Sequence, residues 1–507
     1  MKLNKYMIAG GLSILLTGNF SSCSLDYEPL DTYSDVTEGV QDESGNTQLF
    51  KDKTEVESAL TALYELMKSR IEHWYLDLIL ISDAYADNAY GGTTDAQVRP
   101  IEDNSVDGSS SIMGRDWNRY LEDVAQANRI IIGVDQLSDT SFTDAERNSI
   151  KAQAKIFRSL IWFDMVRIWG NIPLITTVAP DITADNIEEV FDQYFPAQST
   201  PEEVYKQIET DLLEALKDAP DNNDADKTRF SKSVARAMLA KVYAEKPLRD
   251  YNKVIQYCDE LAAEGFGLVD DFSDLFGMNK EMTDVKMRNT KESILEAQWT
   301  AAGGNWSCWM FGRNLLNWDE NFTWAKWITP SRDLIKLYEE QGDTERYSES
   351  IVYYECTWSN YYPADHYPFM YKCRSGASSV IKLRYADILL LKAEACIMGE
   401  NKNLSEAFTI INRIRERAGL APLDDNLKSN ENALLDAYLT ERRMELAFEG
   451  QRWFDLCRLN KVEEVMNNLQ DEGRRALAYP FTEESYLLPI PQTALDQNDK
   501  LVQNPGR

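Results

Sequence analysis

Apolar positions recur with the spacing of helix faces along most of the chain, and strand-like alternation is scarce. The segments 230–261 and 384–417 each predict two helices joined by a short turn. An offset of 153 residues aligns these segments without a gap, and the second helix of each carries apolar residues at i, i+1, i+4 and i+7. Because helical hairpins of equal length are typical of tetratricopeptide-like units, the pattern predicts a mostly α-helical fold.

Two further helix pairs are candidates for the same kind of hairpin, and a different kind of segment interrupts the series. The four predicted hairpins lie near residues 56–134, 150–217, 230–264 and 384–419. The stretch 299–375 has few helical stripes, a Gly303-Gly304 pair and many aromatic residues, which indicates loops with short strands. Since insertions on a helical scaffold usually carry specificity, we expect the ligand site in this loop-rich insertion.

The N-terminus has the features of a signal peptide followed directly by a cysteine. Two early lysines precede an apolar run at 7–16, which is too short for the ~20 residues of a membrane span. Two serines precede Cys23, as lipoprotein processing requires, although Phe20 departs from the usual aliphatic residue. Ordinary secretion with a free thiol is the alternative. We predict a signal peptide at 1–22, a lipidated tether at 23–36 and a single body at 37–507.

Charge and residue counts restrict the function. A net charge of −31 repels phosphate backbones and anionic headgroups, so we predict an uncharged ligand and no nucleic-acid partner. Only two histidines, His73 and His366, are available for a metal centre or a triad, and we predict no cofactor. The acidic run 221–226 lacks the glycine and glutamate of a calcium loop and indicates a polar turn. Cys356 and Cys373 are either a disulfide pair or free thiols.

A charged motif at 441–456 raises the question of catalysis. Arg442, Glu445, Glu449 and Arg452 would lie on one face of a continuous helix. Two carboxylates can serve a glycosidase as acid and base. Here each carboxylate has an arginine within one turn, which favours two ionised groups over one raised pKa. We therefore predict a structural ion-pair network and no enzymatic activity.

Aromatic residues are concentrated in the insertion, where half of the 12 tryptophans lie within residues 299–327. A flat ring can stack on the apolar face of a pyranose, and burying about 80 Å² there contributes about 2 kcal/mol at ~25 cal/mol/Å². The alternative, packing in the body, is expected for Trp299. The candidate ligand contacts, with polar side chains suited to sugar hydroxyls, are Trp306, Trp309, Trp318, Asn305, Arg313 and Asn317.

Five segments in order resemble hallmarks of the SusD/RagB family. They are Phe157–Pro173, Leu383–Ala395, Asn412–Gly419, Glu441–Leu456, and the tail Leu488–Pro491 with Gln503–Gly506. The resemblance covers essentially the whole chain and implies an α-helical fold with tetratricopeptide-like hairpins at the outer membrane. It also implies a SusC-type TonB-dependent transporter as partner and oligosaccharide as the usual cargo, although some relatives carry peptides or other ligands.

The resemblance also draws attention to the loop after the apolar segment 75–81, which often reaches the ligand in this family. Tyr85, Asn88 and Tyr90 become candidate ligand contacts here, whereas Asp83 is expected to be a structural residue at the helix end. The sequence as a whole predicts a lipid-anchored, surface-exposed glycan-binding protein that captures nutrient for a transporter. The alternatives are a helical glycan hydrolase or lyase, and a binder of peptide or another non-sugar nutrient.

Overall fold

The computed structural model describes most of the predicted body. It covers residues 40–41, 47–92, 97–180, 182, 186–311, 327–356 and 361–506. The predicted signal peptide, the tether and Cys23 lie outside the described residues, as do Arg313, Asn317 and Trp318.

Helices dominate the described residues. Those of eight or more residues are α1 (Lys53–Ser69), α2 (Ser111–Gln136), α3 (Asp144–Trp169), α4 (Ile187–Tyr194), α5 (Pro201–Asp218), α6 (Lys232–Ala244), α7 (Tyr251–Ala263), α8 (Arg332–Gln341), α9 (Tyr385–Met398), α10 (Leu404–Arg417) and α11 (Glu431–Leu446). Shorter α-helices are Asp77–Ile79, Arg99–Glu102, Ser273–Phe276, Cys308–Phe311, Thr344–Ser350, Arg452–Arg458, Val462–Met466 and Gln492–Gln497. Short 3₁₀ segments are Lys246–Leu248, Asp425–Ser429 and Glu483–Tyr486, and π-helical segments are Glu72–Leu76 and Leu80–Ala84.

The predicted helical hairpins are present, and their caps follow from the sequence. The pairs α1/α2, α3/α5, α6/α7 and α9/α10 coincide with the four predicted hairpins. Thr143 and Thr200 form capping boxes at the starts of α3 and α5, and the side chain of Ser231 accepts a hydrogen bond at the start of α6. Each hairpin helix packs on the next, and α11 extends the array beyond α10. The mostly α-helical prediction is confirmed.

Strands are short and lie outside this array. They are β1 (Val40–Gln41), β2 (Thr47–Gln48), β3 (Ala89–Gly91), β4 (Ile172–Pro173), β5 (Gln198–Ser199), β6 (Ser293–Ala297), β7 (Ile328–Pro330), β8 (Ile351–Tyr354), β9 (Tyr367–Met370) and β10 (Val380–Arg384). They form antiparallel pairs β1/β2, β3/β7, β4/β5, β6/β10 and β8/β9. The pair β6/β10 positions the candidate site.

The insertion contains more helix than its sequence suggested. Besides the hairpin β8/β9, it includes α8, whose buried face consists of Leu334, Ile335 and Tyr338. Ser331 caps this helix by accepting a hydrogen bond from the Leu334 N–H. The apolar spacing of i, i+1 and i+4 was therefore available in the sequence, but the surrounding aromatic residues obscured it.

The charged motif at 441–456 is interrupted, which corrects the prediction of one continuous helix. The helix α11 ends at Leu446, and a new short helix begins at Arg452. Between them, Phe448 and Gly450 have φ of 62° and 72°, in the left-handed region. The four charged side chains consequently do not share one helix face: Glu445 and Glu449 both pair with Arg384, whereas Arg442 and Arg452 pair with aspartates.

Among the described residues, no helix has both the length and the apolar character needed to cross a bilayer. Among the six described cysteines there is no disulfide, so Cys356 and Cys373 are not joined here.

Candidate ligand-binding site

Two loops leave the same end of the strand pair β6/β10. The pair ends with Ala297 opposite Val380. The segment 299–311, called here the tryptophan loop, follows β6, and the segment 371–378, called the bracing loop, precedes β10. Because both loops start from one end of a hydrogen-bonded strand pair, they lie side by side and can fix each other.

Three glycines allow the two loops to approach closely. Gly303 and Gly304 have φ of +87° and +117°, which L side chains rarely adopt. A Cβ atom on Gly376 would lie 3.4 Å from the Gly303 Cα, so the contact between the loops is backbone against backbone. A Cβ on Gly304 would lie 3.0 Å from Cδ1 of Trp299, whose side chain is buried as predicted.

Asn305 joins the two loops, and the expectation that it contacts ligand is corrected. Its side chain is 1% exposed. Its Nδ2 donates to the carbonyl oxygen of Ser378 at 2.8 Å and to Sγ of Cys373 at 3.6 Å. Its Oδ1 accepts from the backbone N–H and the hydroxyl of Ser307, at 3.2 and 2.5 Å. These four contacts use the whole hydrogen-bonding capacity of the amide, so none remains for a ligand.

Trp306 and Trp309 are exposed on the tryptophan loop. Their side chains are 41% and 52% exposed. The Trp309 N–H donates to the Trp306 carbonyl oxygen at 3.0 Å, so the two residues lie at the ends of one backbone turn. Between and beside them, Ser307, Cys308 and Phe311 are buried. The loop therefore presents two large aromatic rings to solvent while its other side is anchored in the protein.

The tryptophan loop and the bracing loop have no unpaired charged side chain. The tryptophan loop has no charged residue. In the bracing loop, Arg374 pairs with the Glu349 carboxylate at 2.7 Å and lies 3.6 Å from the ring centroid of Tyr371. Its charge is thus already compensated. The other cation of this loop, Lys372, is buried and pairs with the Glu449 carboxylate at 2.6 Å. A ligand of either sign therefore finds no unpaired charge in these two loops.

The remaining tryptophans of the cluster divide between the core and the undescribed part of the chain. Trp327 is half-buried, and its Nε1 donates to Oδ1 of Asp77 at 3.0 Å. Trp318 and Trp324, with Arg313 and Asn317, fall in 312–326, outside the described residues. The ligand contacts predicted for Trp318, Arg313 and Asn317 stay predictions.

Tyr85 belongs to the core, which corrects its assignment as a ligand contact. It is 0% exposed, and its ring lies 4.2 Å from that of Trp453 and 5.2 Å from that of Phe481. Its hydroxyl donates to Oδ1 of Asn104 at 2.7 Å. A ligand could reach this side chain only if the core opened.

Asn88 is also fully buried, which corrects its assignment as a ligand contact. The turn that interrupts the charged motif packs against the segment that contains Asn88. Its Nδ2 donates to Asp83 at 2.8 Å, and its Oδ1 accepts from Nε of Arg443 at 2.8 Å. The Asp83 carboxylate, in turn, accepts from the backbone N–H groups of Phe448 and Gly450 at 2.8 and 3.3 Å. The segment 82–88 is therefore a docking point for the turn at 447–451. The structural role expected for Asp83 agrees with these contacts.

Tyr90 is buried as well, which corrects its assignment as a ligand contact. It is 0% exposed, its ring stacks on that of Tyr361 at 4.6 Å, and its hydroxyl donates to Asp471 at 2.7 Å. The same hydroxyl accepts from the backbone N–H of Arg332 at 2.9 Å. These partners follow Tyr90 by more than 240 positions in the sequence, and local sequence reasoning had no signal for them.

The carboxylates of the charged motif are tied into buried ion pairs. Glu445 is paired with Arg384 at 2.6 Å and with Arg346 at 3.0 Å, and it also contacts Arg417. Although burial alone raises the pKa of Glu445, the three guanidinium groups lower it well below its usual value. The Glu449 carboxylate pairs with Arg384 at 2.6 Å. Neither group is placed to exchange protons with a ligand.

Near the root of the tryptophan loop, one carboxyl has a raised pKa. Burial raises the pKa of Glu296, although hydrogen bonds from Ser293 and Gln298 lower it. Glu296 is 2% exposed, on strand β6, and its carboxylate accepts from the Asn289 N–H at 3.1 Å. It is a core group of the strand pair and is not presented on the exposed side of the loop.

A small cleft between α3 and α5 is a poorer candidate. Its lining is polar apart from Ala152 and contains no aromatic side chain. Two of its lysines are engaged, Lys151 with Asp135 at 2.6 Å and Lys155 with Glu214. Stacking on a sugar is impossible there, so the tryptophan loop remains the candidate site.

Two families match the sequence over separate ranges. Residues 365–506 match the SusD family, and residues 32–244 match a family described as starch-binding and associating with the outer membrane. Among curated proteins, the chain is similar to SusD-like protein P2 of Formosa agariphila, with 24% identity over 496 residues that cover 90% of this chain and 93% of the relative.

Solved structures share the fold over nearly the whole chain. Surface glycan-binding protein A from Bacteroides thetaiotaomicron, in complex with laminarihexaose, has a TM-score of 0.70 at 18% identity and covers 89% of this chain and 99% of that one. A laminarin-binding SusD-like protein has a TM-score of 0.67 at 22% identity, with 90% and 100% covered. At these identities the likeness establishes the fold.

Proposed function

The chain belongs to the SusD/RagB family, and from this premise we propose that it is a cell-surface lipoprotein that binds glycans and passes them to a transporter. The cargo is an oligosaccharide or a polysaccharide segment. The partner is a SusC-type TonB-dependent transporter in the outer membrane. The matched family's description as starch-binding, and the laminarin ligands of two structural neighbours, support the ligand class.

The observation that carries the proposal is the pair of exposed rings of Trp306 and Trp309 on a braced, charge-free loop. Each ring offers a flat apolar face on which one pyranose can stack. Burying about 80 Å² per contact contributes ~2 kcal/mol at ~25 cal/mol/Å². Association costs at least ~4 kcal/mol of lost freedom, so two stacking contacts alone do not suffice and hydrogen bonds to hydroxyls must add to them.

The charges favour a neutral glycan. The protein carries a net charge of −31, so a sulfated or uronate polymer is repelled before it reaches the site. Both cations of the bracing loop are paired, Arg374 with Glu349 and the buried Lys372 with Glu449, which leaves neither available to an anionic sugar. We propose neutral oligosaccharides as the ligand class.

The proposed location rests on the N-terminal sequence. Cys23 directly follows the predicted signal peptide, and diacylation of its thiol would hold the protein at the outer membrane. Two or three acyl chains anchor a protein firmly, since each buried CH₂ contributes ~0.8 kcal/mol. The matched family's description as associating with the outer membrane supports this location.

We propose that the protein binds its glycan without cleaving it. The carboxylates of the charged motif are buried in ion pairs, and the tryptophan loop itself contains no acid or base side chain. A glycosidase needs two carboxyl groups beside the scissile bond, one of which has a raised pKa.

The test combines binding and turnover on the purified full-length protein. Titration calorimetry with laminarihexaose, maltoheptaose and xylohexaose, and with alginate oligosaccharides and a peptide mixture, identifies the ligand class. The proposal predicts saturable binding of at least one neutral oligosaccharide, with no shortening of that ligand on chromatography after prolonged incubation. Product formation at enzymatic rates would contradict it, and so would binding of the anionic sugars or peptides alone.

A further inference from the structure

We propose that Asn305 is a positioning residue for the glycan surface: it fixes the tryptophan loop so that Trp306 and Trp309 are held in place before the ligand arrives. This inference rests on the proposed function of the two tryptophans. Asn305 itself is buried and touches no ligand.

The position of Asn305 along the chain explains its effect. It is the residue directly before Trp306, and its backbone N–H donates to the carbonyl oxygen of Gly376 at 2.9 Å. With the two bonds donated by its side chain to Ser378 and Cys373, Asn305 makes three contacts to the bracing loop. The residue that precedes the exposed turn is therefore held by three hydrogen bonds to the bracing loop.

The side-chain oxygen of Asn305 fixes the turn itself. It accepts the Ser307 N–H and hydroxyl, and the Asn305 carbonyl oxygen lies 3.1 Å from the Sγ of Cys308. Because Ser307 and Cys308 separate the two tryptophans, these bonds define the backbone that carries both rings. At the far end of the turn, Phe311 is buried and packs edge to face against Tyr75 at 5.6 Å.

The bracing loop is itself rigid, so the anchor is firm. The Ser378 N–H donates to the Ser375 carbonyl oxygen at 3.0 Å, and the Ser375 hydroxyl accepts from the Ala377 N–H at 2.9 Å. Two residues beyond Ser378, the chain enters strand β10, which is paired with β6. The tryptophan loop is thus connected to the bracing loop at two places: through the strand pair β6/β10 and through Asn305.

Preorganisation of this kind raises affinity without a new ligand contact. Each side chain that must be immobilised on binding costs free energy, and two indole rings on a loose turn would incur that cost twice. Asn305→Ala removes four side-chain contacts while both tryptophans remain. We expect glycan affinity to fall by about fivefold to about a hundredfold, from the ordering of two side chains.

Fluorine NMR on full-length protein labelled with 5-fluorotryptophan tests the inference without requiring a ligand. The signals of Trp306 and Trp309 are assigned through Trp306→Phe and Trp309→Phe. In Asn305→Ala, both signals should shift towards the position of free fluorotryptophan and narrow, at temperatures well below unfolding. The matched control is Asn504→Ala, which removes another buried asparagine that donates to two backbone carbonyls, those of Trp169 and Leu488. It should change neither signal.

Calorimetry with the tightest-binding neutral oligosaccharide then separates this inference from the proposed function. If Trp306→Ala and Trp309→Ala each weaken binding while Asn305→Ala binds as the wild type does, the positioning role is wrong and the site stands. If the tryptophan variants bind normally, the site itself is wrong. Should Asn305→Ala fail to fold, Ser307→Ala removes one hydroxyl bond to Oδ1 and gives the same readouts. Unchanged signals and affinity in that variant would overturn the inference.

Discussion

Glu445 lies at the centre of the buried charge network, and Glu445→Gln removes its charge with little change of shape. The carboxylate is 0% exposed and touches three guanidinium groups, those of Arg346, Arg384 and Arg417. Arg384 lies on strand β10, so the network holds the end of the strand pair opposite to the tryptophan loop. The substitution therefore tests whether the charge network stabilises the strand pair from which the tryptophan loop extends.

The expected loss follows from what the network retains. An amide can still accept a hydrogen bond from one arginine, but its NH₂ group faces another donor. The arginines keep further partners, since Arg384 also pairs with Glu292 at 2.8 Å and Arg346 with Asp343 at 2.6 Å. Breaking a buried pair from one side costs about 3–5 kcal/mol, and we expect Glu445→Gln to lose stability in that range.

Denaturant unfolding, followed by far-ultraviolet circular dichroism, measures the loss. The matched control is Glu464→Gln, which removes a carboxylate that is 64% exposed and pairs with Lys461 at 2.6 Å. That exposed pair should contribute less than about 1 kcal/mol. A loss of stability in Glu445→Gln no larger than in Glu464→Gln would refute the claim that this network holds the fold.

The same network gives a dependence on pH. Because the folded pKa of Glu445 lies well below its unfolded value, its stabilising contribution is fully present above pH ~4.5 and is lost as the pH falls through the folded pKa. The stability of the wild type should therefore fall more steeply than that of Glu445→Gln below pH ~4.5. Parallel pH profiles for the two proteins would contradict this assignment.

Three other predictions concern anchoring, a buried acid and the core tyrosines. Cys23→Ala should fold normally and leave the membrane fraction, and its retention there after a high-salt wash would count against Cys23 as the anchor. Burial raises the pKa of Asp83 to about 6. The free-energy cost of its buried charge is therefore absent below about pH 4 and complete above about pH 6, so the stability of Asp83→Asn relative to the wild type should rise with pH across that window and then level off. A stability difference that does not change with pH would refute this prediction. Tyr85→Phe and Tyr90→Phe each remove a buried hydroxyl with a hydrogen bond and should lower stability by about 1 kcal/mol while leaving glycan affinity unchanged; a loss of affinity in either would return that residue to the candidate site.

Much of the scaffold could be predicted because its information is local. The hairpin helices are defined by apolar spacing over one or two turns and by caps such as Ser231 and Thr200, which act within three residues. The charged motif at 441–456 shows the limit of that reasoning. The sequence predicts a continuous helix, but Phe448 and Gly450 both adopt a positive φ and form a turn. The Asp83 carboxylate, which is distant in sequence, accepts a hydrogen bond from the Phe448 N–H in this turn.

The candidate site was only partly predictable for the same reason. Exposure of Trp306 and Trp309 was suggested by their glycine, serine and asparagine neighbours, and these two residues are exposed. The same composition made Asn305 look like a surface residue, because nothing nearby in the sequence shows that Ser378 accepts its amide hydrogen. Tyr85 and Tyr90 were misassigned similarly, since residues such as Trp453 and Asp471 that enclose them are distant in sequence.

The most direct measurement is the affinity of full-length Trp306→Ala/Trp309→Ala for the neutral oligosaccharide that the wild type binds most tightly. Losing one stacking contact of ~2 kcal/mol weakens affinity about thirtyfold, so each single variant should show that loss and the double variant should show no detectable binding. Tyr479→Ala is the matched control, because it removes an aromatic side chain that is 65% exposed outside the tryptophan loop. Tyr479→Ala should bind as the wild type does, with all variants unfolding at similar temperatures. Wild-type affinity in the double variant would contradict the account, because the glycan would then bind elsewhere on the protein.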